Sequence, residues 1–170
     1  MHRLRHPWHP NMRNLGEILV RAAGPEDASG ILRCLGEAFE PYRTEYTPAA
    51  FADTVLDEAS LATRVQGMHM LVAVSATEIV GTVAASAVNS EGHLRGMAVL
   101  PTWRSLGVAA ALLTAIEAWL KGQSCRRVTL DTTLPLDAAI RFYEKNGYRK
   151  SGQVSDFFGM PLVEYVKELV

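Results

Sequence analysis

The stretch Val99–Leu113, "VLPTWRSLGVAAALL", begins as an apolar run and ends in a helical pattern, with Gly107 at the point of change. No Ser, Thr, Asp or Asn stands directly before the helix to cap it. The first backbone N–H groups of a helix have no intrahelical partners, and together with the helix dipole they attract anions. Gly107 and Ala109 leave room for a phosphate, and Arg104 adds positive charge. The stretch therefore predicts a site suited to a pyrophosphate.

This stretch and the segments on either side of it are predicted to form a strand, a helix and a second strand. "EGHLRGMAVL" (91–100) alternates as a strand does, a helix with one apolar face is predicted from Gly107 to Lys121, and "RRVTLDTT" (126–133) has the pattern of a buried strand. Such a step implies a right-handed crossover between parallel strands. The helix then begins at the carboxyl end of a strand, where open sheets bind ligands.

The rest of the chain extends this α/β pattern. Its predicted elements are a strand from Glu17 to Ala22, an amphipathic helix in "GPEDASGILRCLGEAF", a second helix from Thr47 and Pro48 through Leu61, an antiparallel hairpin of "MLVAVS" and "EIVGTVAASAV", a helix in "PLDAAIRFYEKNG", and two final strands in "YRKSGQ" and "LVEYVKEL". No linker or repeat divides them. We expect one domain over residues 15–170.

Composition narrows the class of protein. The 170 residues are 48% hydrophobic and 21% charged with a net charge of -1, which are ordinary globular values without the basic excess typical of nucleic-acid binders. No apolar run approaches the roughly 18 residues that a membrane span needs. Cys34 and Cys125 form no CxxC pair and are predicted to be free thiols in a reducing compartment. We expect a cytoplasmic protein that binds neither nucleic acid nor membrane.

Residues 1–14, "MHRLRHPWHPNMRN", differ in composition from everything after them. His2, His6 and His9 suggest either a metal-binding tract or part of a flexible tail, and the absence of any period favours the tail. No metal site is predicted elsewhere in the chain.

Three kinds of phosphate site can be compared with the opening stretch. A Walker loop requires a lysine that does not follow Gly107, and a dinucleotide fingerprint requires more glycines. The third is coenzyme A. The pattern Val99-x-Pro101-x-x-Arg104-x-x-Gly107-x-Ala109 resembles the acetyl-CoA signature of the GNAT superfamily of N-acyltransferases, in which [QR]-x-x-G-x-[GA] opens the central helix.

Further blocks in the same order extend the resemblance from about Glu17 to Val170. "AIRFYEKNGYRKSG" looks like the fourth helix and following strand of the family. "EIVGTVA" and "EYVKEL" resemble other segments of the family in order and spacing. Two positions depart from the pattern. Ser105 stands where glycine is frequent, and Leu136 stands where many members have an asparagine that contacts coenzyme A.

The resemblance implies a fold and a co-substrate. The fold would be a mixed, mostly antiparallel sheet of roughly six or seven strands with about four helices, splayed between its fourth and fifth strands. The co-substrate would be acetyl-CoA, with no metal. Its pantetheine arm would lie along the backbone of Met97 and Val99, and its pyrophosphate would meet backbone amides beside Arg104. Those amides belong to Leu106, Gly107, Val108, Ala109 and Ala110.

The resemblance also implies catalytic residues. Tyr143 in "FYEKNG" matches the usual general acid, although a tyrosine beside Phe142 could equally be a core aromatic. Tyr148 is expected to pack. The attacking amine must be neutral, so a base is needed. Strand alternation places Glu91, His93, Arg95 and Met97 on one face. His93 is the first choice because imidazoles titrate near neutral pH, and Glu91 is the second; a histidine without a role fits as well.

The acceptor is left open by the sequence. In such folds the segment between the first two helices and the last hairpin usually set specificity. Here these contain Tyr42, Tyr46, Phe157 and Phe158, with Glu40, Glu45 and Asp156 nearby to attract a cationic amine. The aromatics could instead be hydrophobic plugs or part of a homodimer contact.

We therefore predict an N-acetyltransferase that uses acetyl-CoA to modify a primary amine of a small molecule or protein. The alternatives are a non-catalytic acyl-CoA-binding regulatory module on the same fold and a structural α/β protein whose loop binds nothing.

Overall fold

A computed structural model describes residues 18–170, which form one seven-stranded sheet in the order β1-β2-β3-β4-β5-β7-β6. Every neighbouring pair is antiparallel except β4 and β5, which are parallel. The strands are β1 (Ile18–Ala22), β2 (His69–Ser75), β3 (Glu78–Val88), β4 (Glu91–Val99), β5 (Arg127–Thr133), β6 (Arg149–Phe157) and β7 (Met160–Glu168). The helices are α1 (Ala28–Phe39), α2 (Pro48–Thr54), α3 (Glu58–Gly67), α4 (Val108–Gly122) and α5 (Asp137–Lys145).

This architecture confirms the predicted α/β class, the parallel step from β4 through α4 to β5, and the two final strands. The predictions for residues 1–14, including the three histidines, lie outside the described residues. The order of the strands brings β4 and β5 to the middle of the sheet, so that any opening between them lies inside the protein and not at its edge.

Helices cover both faces of the sheet at its centre. Seven consecutive residues of β3, from Ile79 to Ala85, are buried, which requires a layer on each face. Helix α4 packs close to the sheet because Gly81 and Gly92 have no side chain: a Cβ at Gly81 would lie 2.8 Å from Val108, and one at Gly92 would lie 2.7 Å from Leu120. Helix α1 packs against β3 and β4 as well. The start of α4 is thereby held rigidly beside the end of β4.

The predicted second helix is wrong in one respect, since the structure divides it into α2 and α3. Helix α2 ends at Thr54, and Asp57 then caps α3. The Asp57 carboxylate accepts a hydrogen bond from the backbone N–H of Ser60 at 2.8 Å, and the Ser60 hydroxyl accepts one from the N–H of Asp57 at 2.9 Å. The apolar spacing runs on across this junction and hides the capping box in the sequence.

Replacement of Asp57 by alanine should remove this cap and lower the free energy of unfolding by about 1 kcal/mol. The measurement is urea denaturation of the variant and the wild type. Glu58→Ala is the matched control, since this neighbouring exposed residue lies in the first turn and caps nothing; it should change stability by roughly 0.3 kcal/mol. Equal effects of the two substitutions would contradict the capping role of Asp57.

The sheet splays between β4 and β5, as the resemblance implies. The two strands pair only from Glu91 with Arg127 to Leu94 with Leu130. Beyond that point β5 continues along β7 as far as Thr133, while β4 continues along β3 as far as Val99. The two strands therefore diverge and leave a V-shaped cleft whose walls are both ordered strands.

A β-bulge in β4 lies where the divergence begins. Arg95 pairs with Ala84 and Ala98 pairs with Thr82, so β4 has one more residue than β3 in this interval, and Gly96 has φ +65°. The prediction that Met97 shares a face with His93 and Arg95 is wrong, because the extra residue makes Ala98 the next member of that face. Glycine at position 96 accommodates the left-handed backbone of the bulge.

Cys34 and Cys125 are free and buried, as predicted. Burial raises the pKa of the Cys34 thiol to about 12, which keeps it protonated and unreactive at neutral pH. Among the helices in residues 18–170, none is both long and apolar enough to cross a membrane.

Candidate active site

Two connected pockets occupy the V between β4 and β5. The helix-side pocket, of about 460 Å³, lies between the end of β4, the start of α4 and helix α5. The strand-side pocket, of about 390 Å³, lies over the opening between β4 and β5 and reaches α2 and α3. Residues that line both pockets are Phe39, Met97, Leu136, Ala139 and Tyr143. The arrangement can hold two different molecules that meet at these shared residues.

The start of α4 forms one wall of the helix-side pocket. Gly107 precedes the helix with φ +86° and provides no side-chain cap. Within residues 18–170, no group accepts from the N–H of Val108, Ala109 or Ala110, the first three residues of the helix. A Cβ built at Gly107 would meet nothing within 4 Å, so the approach to these amides is open. This geometry fits a pyrophosphate.

The loop before α4 borders the same pocket. Ser105, with φ +62°, lines the pocket, whereas the side chain of Leu106 packs against the core. Arg104 also lines the pocket, and its Nη2 donates a hydrogen bond to the carbonyl oxygen of Ala38 at 2.9 Å. That bond ties the end of α1 to the loop and leaves a cationic group beside the amides.

The free edge of β4 forms the floor of the helix-side pocket. Met97 and Val99 line it in the part of β4 that no longer pairs with β5. The backbone groups on that edge can therefore hydrogen-bond an extended, amide-bearing chain such as pantetheine. Leu136, which precedes α5 and lines both pockets, presents an apolar side chain where the resemblance leads one to expect an asparagine.

Tyr143 lies on α5 at the junction of the two pockets, with only 8% of its surface exposed. Its ring meets those of Phe142 and Tyr148 edge-on, at centroid distances of 5.5 and 5.6 Å. Burial raises the pKa of its hydroxyl well above the ordinary value, which keeps the proton in place. No residue among those described hydrogen-bonds that hydroxyl. Such a group can donate a proton at the junction.

Tyr148 has a different environment from Tyr143. Its hydroxyl donates to Glu117 at 3.1 Å, and Lys167 donates to the same carboxylate at 2.8 Å while lying 5.5 Å from the centre of the Tyr148 ring. It lines neither pocket. Its polar group is thus engaged in joining α4, β7 and the end of α5, in agreement with the prediction that it packs.

His93 lies in the strand-side pocket and contacts β5. Its Nδ1 is 2.9 Å from the hydroxyl oxygen of Thr129, and its Nε2 is 3.6 Å from a carboxylate oxygen of Asp131. The pKa of Asp131 is raised above its ordinary value, chiefly by burial; His93 opposes this shift and the nearby Glu164 adds to it. A histidine beside a carboxylate can accept a proton and remain stabilised as an imidazolium.

Asp131 is not among the residues predicted from the sequence. A signal was present, because the alternation of "RRVTLDTT" places Asp131 on the same side as Thr129. Nothing in the sequence, however, states the register that sets Thr129 opposite His93. Glu91, the second choice for the base, forms an ion pair with Arg127 and lines neither pocket. The placement therefore favours His93 over Glu91.

The loops predicted to bind the acceptor contribute unequally. Tyr46 and Phe157 line the strand-side pocket, and the Tyr46 hydroxyl lies 2.6 Å from that of Thr133. Tyr42 lines the helix-side pocket, while Phe158 is largely exposed. Two of the three acidic residues are engaged elsewhere, since Glu40 pairs with Arg43 and Asp156 accepts from the N–H of Gly159 in the turn before β7.

Comparisons with known proteins agree with this geometry. Residues 31–148 match the model of the Acetyltransferase (GNAT) family. A segment of 71 residues is 34% identical to an aminoglycoside N(6')-acetyltransferase type 1 of Stenotrophomonas maltophilia. This segment is 42% of the present chain and 46% of that protein, so the chain matches only about half the length of this curated relative.

Solved structures show the same fold over nearly the whole chain. The PaiA N-acetyltransferase of Thermoplasma acidophilum, in complex with coenzyme A, is 18% identical with a TM-score of 0.74 over 89% of this chain and 99% of its own. A GCN5-related N-acetyltransferase of Rhodopseudomonas palustris is 23% identical with a TM-score of 0.75 over 91% and 97% of the two chains.

Proposed function

The chain belongs to the GNAT acetyltransferase family, and from this premise we propose that it transfers the acetyl group of acetyl-CoA to a primary amine of a small molecule or protein. The observation that carries the proposal is the cleft itself. One cleft joins an uncapped helix start, the open edge of a strand, a protonated buried tyrosine and a histidine–carboxylate pair. A pocket for the acetyl donor therefore meets a pocket for the acceptor at Tyr143.

The residues of the helix-side pocket fit acetyl-CoA. The amides of Leu106, Gly107, Val108, Ala109 and Ala110 would bind the pyrophosphate, since these residues carry small or inward-packed side chains. Arg104 would add charge from the loop, and the backbone of Met97 and Val99 would hold the pantetheine arm. When bound, acetyl-CoA supplies an acetyl group activated as a thioester.

Two groups of the chain would move protons. His93 would accept a proton from the attacking amine, directly or through water, at Nε2; the hydroxyl of Thr129 would hold the Nδ1 hydrogen, and Asp131 would stabilise the imidazolium. Tyr143 would supply a proton from its Oη to the departing sulfur. Both lie along the cleft that the acceptor and the donor share.

Replacement of His93 by glutamine should lower kcat/KM at about pH 7 by roughly tenfold or more, since the loss of a general base costs at least that much. The deficit should shrink toward pH 10, because the acceptor amine then loses its proton to solvent unaided. A pH–rate profile of the variant and the wild type measures this. Glu91→Gln is the control, and it should leave the profile unchanged because Glu91 lies outside both pockets. A deficit in His93→Gln that is independent of pH would contradict the role of base.

The function as a whole is tested by calorimetry with acetyl-CoA and by a panel of amines with detection of the free thiol. We expect binding of acetyl-CoA, and thiol release with at least one amine. Binding without release for every amine would favour the non-catalytic regulatory module. No binding at millimolar acetyl-CoA would overturn the proposal.

A further inference from the structure

Arg64 is a buried cation in the strand-side pocket that the proposed chemistry does not use. It lies on α3, is 9% exposed and lines the pocket. No carboxylate within residues 18–170 lies within 4.0 Å of its guanidinium, and no described group forms a side-chain hydrogen bond with it. An arginine this buried is ordinarily paired, because removing its charge from water is costly.

The guanidinium lies against the bulge of β4. A Cβ at Gly96 would be 2.8 Å from Arg64 Nη1, so any other residue at position 96 would displace the guanidinium from this position. The nearest acid, Asp53, is taken by Arg95, whose Nη2 is 2.6 Å from its carboxylate. Burial and the like charge of Arg95 lower the pKa of Arg64 to about 10 while Asp53 opposes the shift, and Arg64 is still charged at neutral pH.

We infer that the acceptor is an amine that also carries a carboxylate, which Arg64 binds at the Gly96 bulge. The inference rests on the proposed function and names the class of its second substrate. A carboxylate there would form charge-assisted hydrogen bonds with the planar guanidinium and would compensate the buried charge. Arg95 lies on the same side of the pocket, but its charge is compensated by Asp53, so Arg64 supplies the net positive charge of this end.

The opposite end of the same pocket is acidic. Asp131 lies beside His93 there; Glu164 is close enough to raise its pKa, and Arg95 acts on it in the opposite direction. Gly96 is three residues beyond His93, which corresponds to roughly 10 Å of strand. The pocket thus separates a positive end from a negative end by about the length of a small zwitterion. A polycation such as spermidine or an aminoglycoside would meet the uncompensated positive charge of Arg64 at that end.

The test compares acceptors that differ only in the carboxylate. The pairs are β-alanine, γ-aminobutyrate, lysine and methionine, each assayed against its own amide, with spermidine and kanamycin as polycations. For at least one pair, we expect the wild type to favour the acid by about tenfold or more in kcat/KM, the range of a hydrogen bond between charged groups. Arg64→Met should abolish this preference, and Arg64→Lys should retain part of it. The ratio is measured within each variant, so a partial loss of folded protein cancels.

Arg33→Met is the matched control, since Arg33 lies on α1, pairs with Glu78 and lines neither pocket; it should retain the full preference. Turnover of the amides or the polycations at rates equal to or above those of the acids would overturn the inference and leave the acetyltransferase intact. A preference for acids that survives Arg64→Met would also overturn it. If the protein binds acetyl-CoA but releases thiol with none of these amines, the result counts against both the inference and the proposed function. If it turns over only the polycations, the result counts against the inference alone.

Discussion

Gly107→Glu is expected to abolish binding of acetyl-CoA. The substitution places a carboxylate beside the free amides at the start of α4, where the pyrophosphate is proposed to bind. Two like charges about 4 Å apart near a protein surface repel by about 4 kcal/mol, which corresponds to a loss of affinity of roughly a thousandfold. Isothermal titration calorimetry with acetyl-CoA measures the change.

The control for this prediction is Gly107→Gln, which has the same shape without the charge. Both variants place a side chain at φ +86°, at a cost in stability of about 1–2 kcal/mol, and thermal unfolding should show the same loss for both. Gly107→Gln should bind acetyl-CoA far more tightly than Gly107→Glu. Wild-type affinity in a folded Gly107→Glu variant would show that the pyrophosphate does not bind at the start of α4.

Tyr143→Phe should lower kcat by about a hundredfold, within the range for loss of a general acid, while acetyl-CoA affinity stays nearly unchanged. The phenyl ring preserves the contacts with Phe142 and Tyr148, so the pocket keeps its shape. Because burial raises the pKa of Tyr143, the hydroxyl stays protonated as pH rises, and ionisation of this group should not reduce the wild-type rate below about pH 10. Steady-state kinetics across pH and calorimetry measure the two properties.

Tyr148→Phe is the matched control, five residues along the chain and in ring contact with Tyr143. It removes the hydrogen bond to Glu117 and should cost about 1 kcal/mol of stability, with kcat unchanged. If Tyr143→Phe turned over as fast as the wild type, Tyr143 would not be the acid. If Tyr148→Phe lost as much activity as Tyr143→Phe, the effect would be one of packing.

The site was predictable where its parts are local in sequence. The start of α4 could be recognised because the absence of a cap, the glycine and the small residues all lie within a few positions of one another. The family match then made Tyr143 a candidate. The boundary between α2 and α3 was missed because the capping box formed by Asp57 and Ser60 interrupts an apolar pattern that continues across it.

The strand-side pocket was not predictable in the same way. Many of its residues come from β4, β5, α2 and α3, and their proximity depends on the register of one strand pair and on one bulge. The parallel register sets His93 against Thr129 and so near Asp131, while the bulge at Gly96 makes room for Arg64. No pattern in a single segment encodes either of these.

Local patterns in the sequence were sufficient to predict the α/β class, the crossover through α4 and the uncapped start of that helix, because each depends on periodicity or on residues within one short stretch. The folded chain was needed to show that the bulge takes Met97 off the face of His93, that Asp131 lies beside His93, and that the buried Arg64 has no carboxylate within 4.0 Å among residues 18–170. These three features depend on strand register and on packing between segments that are distant in the sequence. Spacing along the chain carries no information about either.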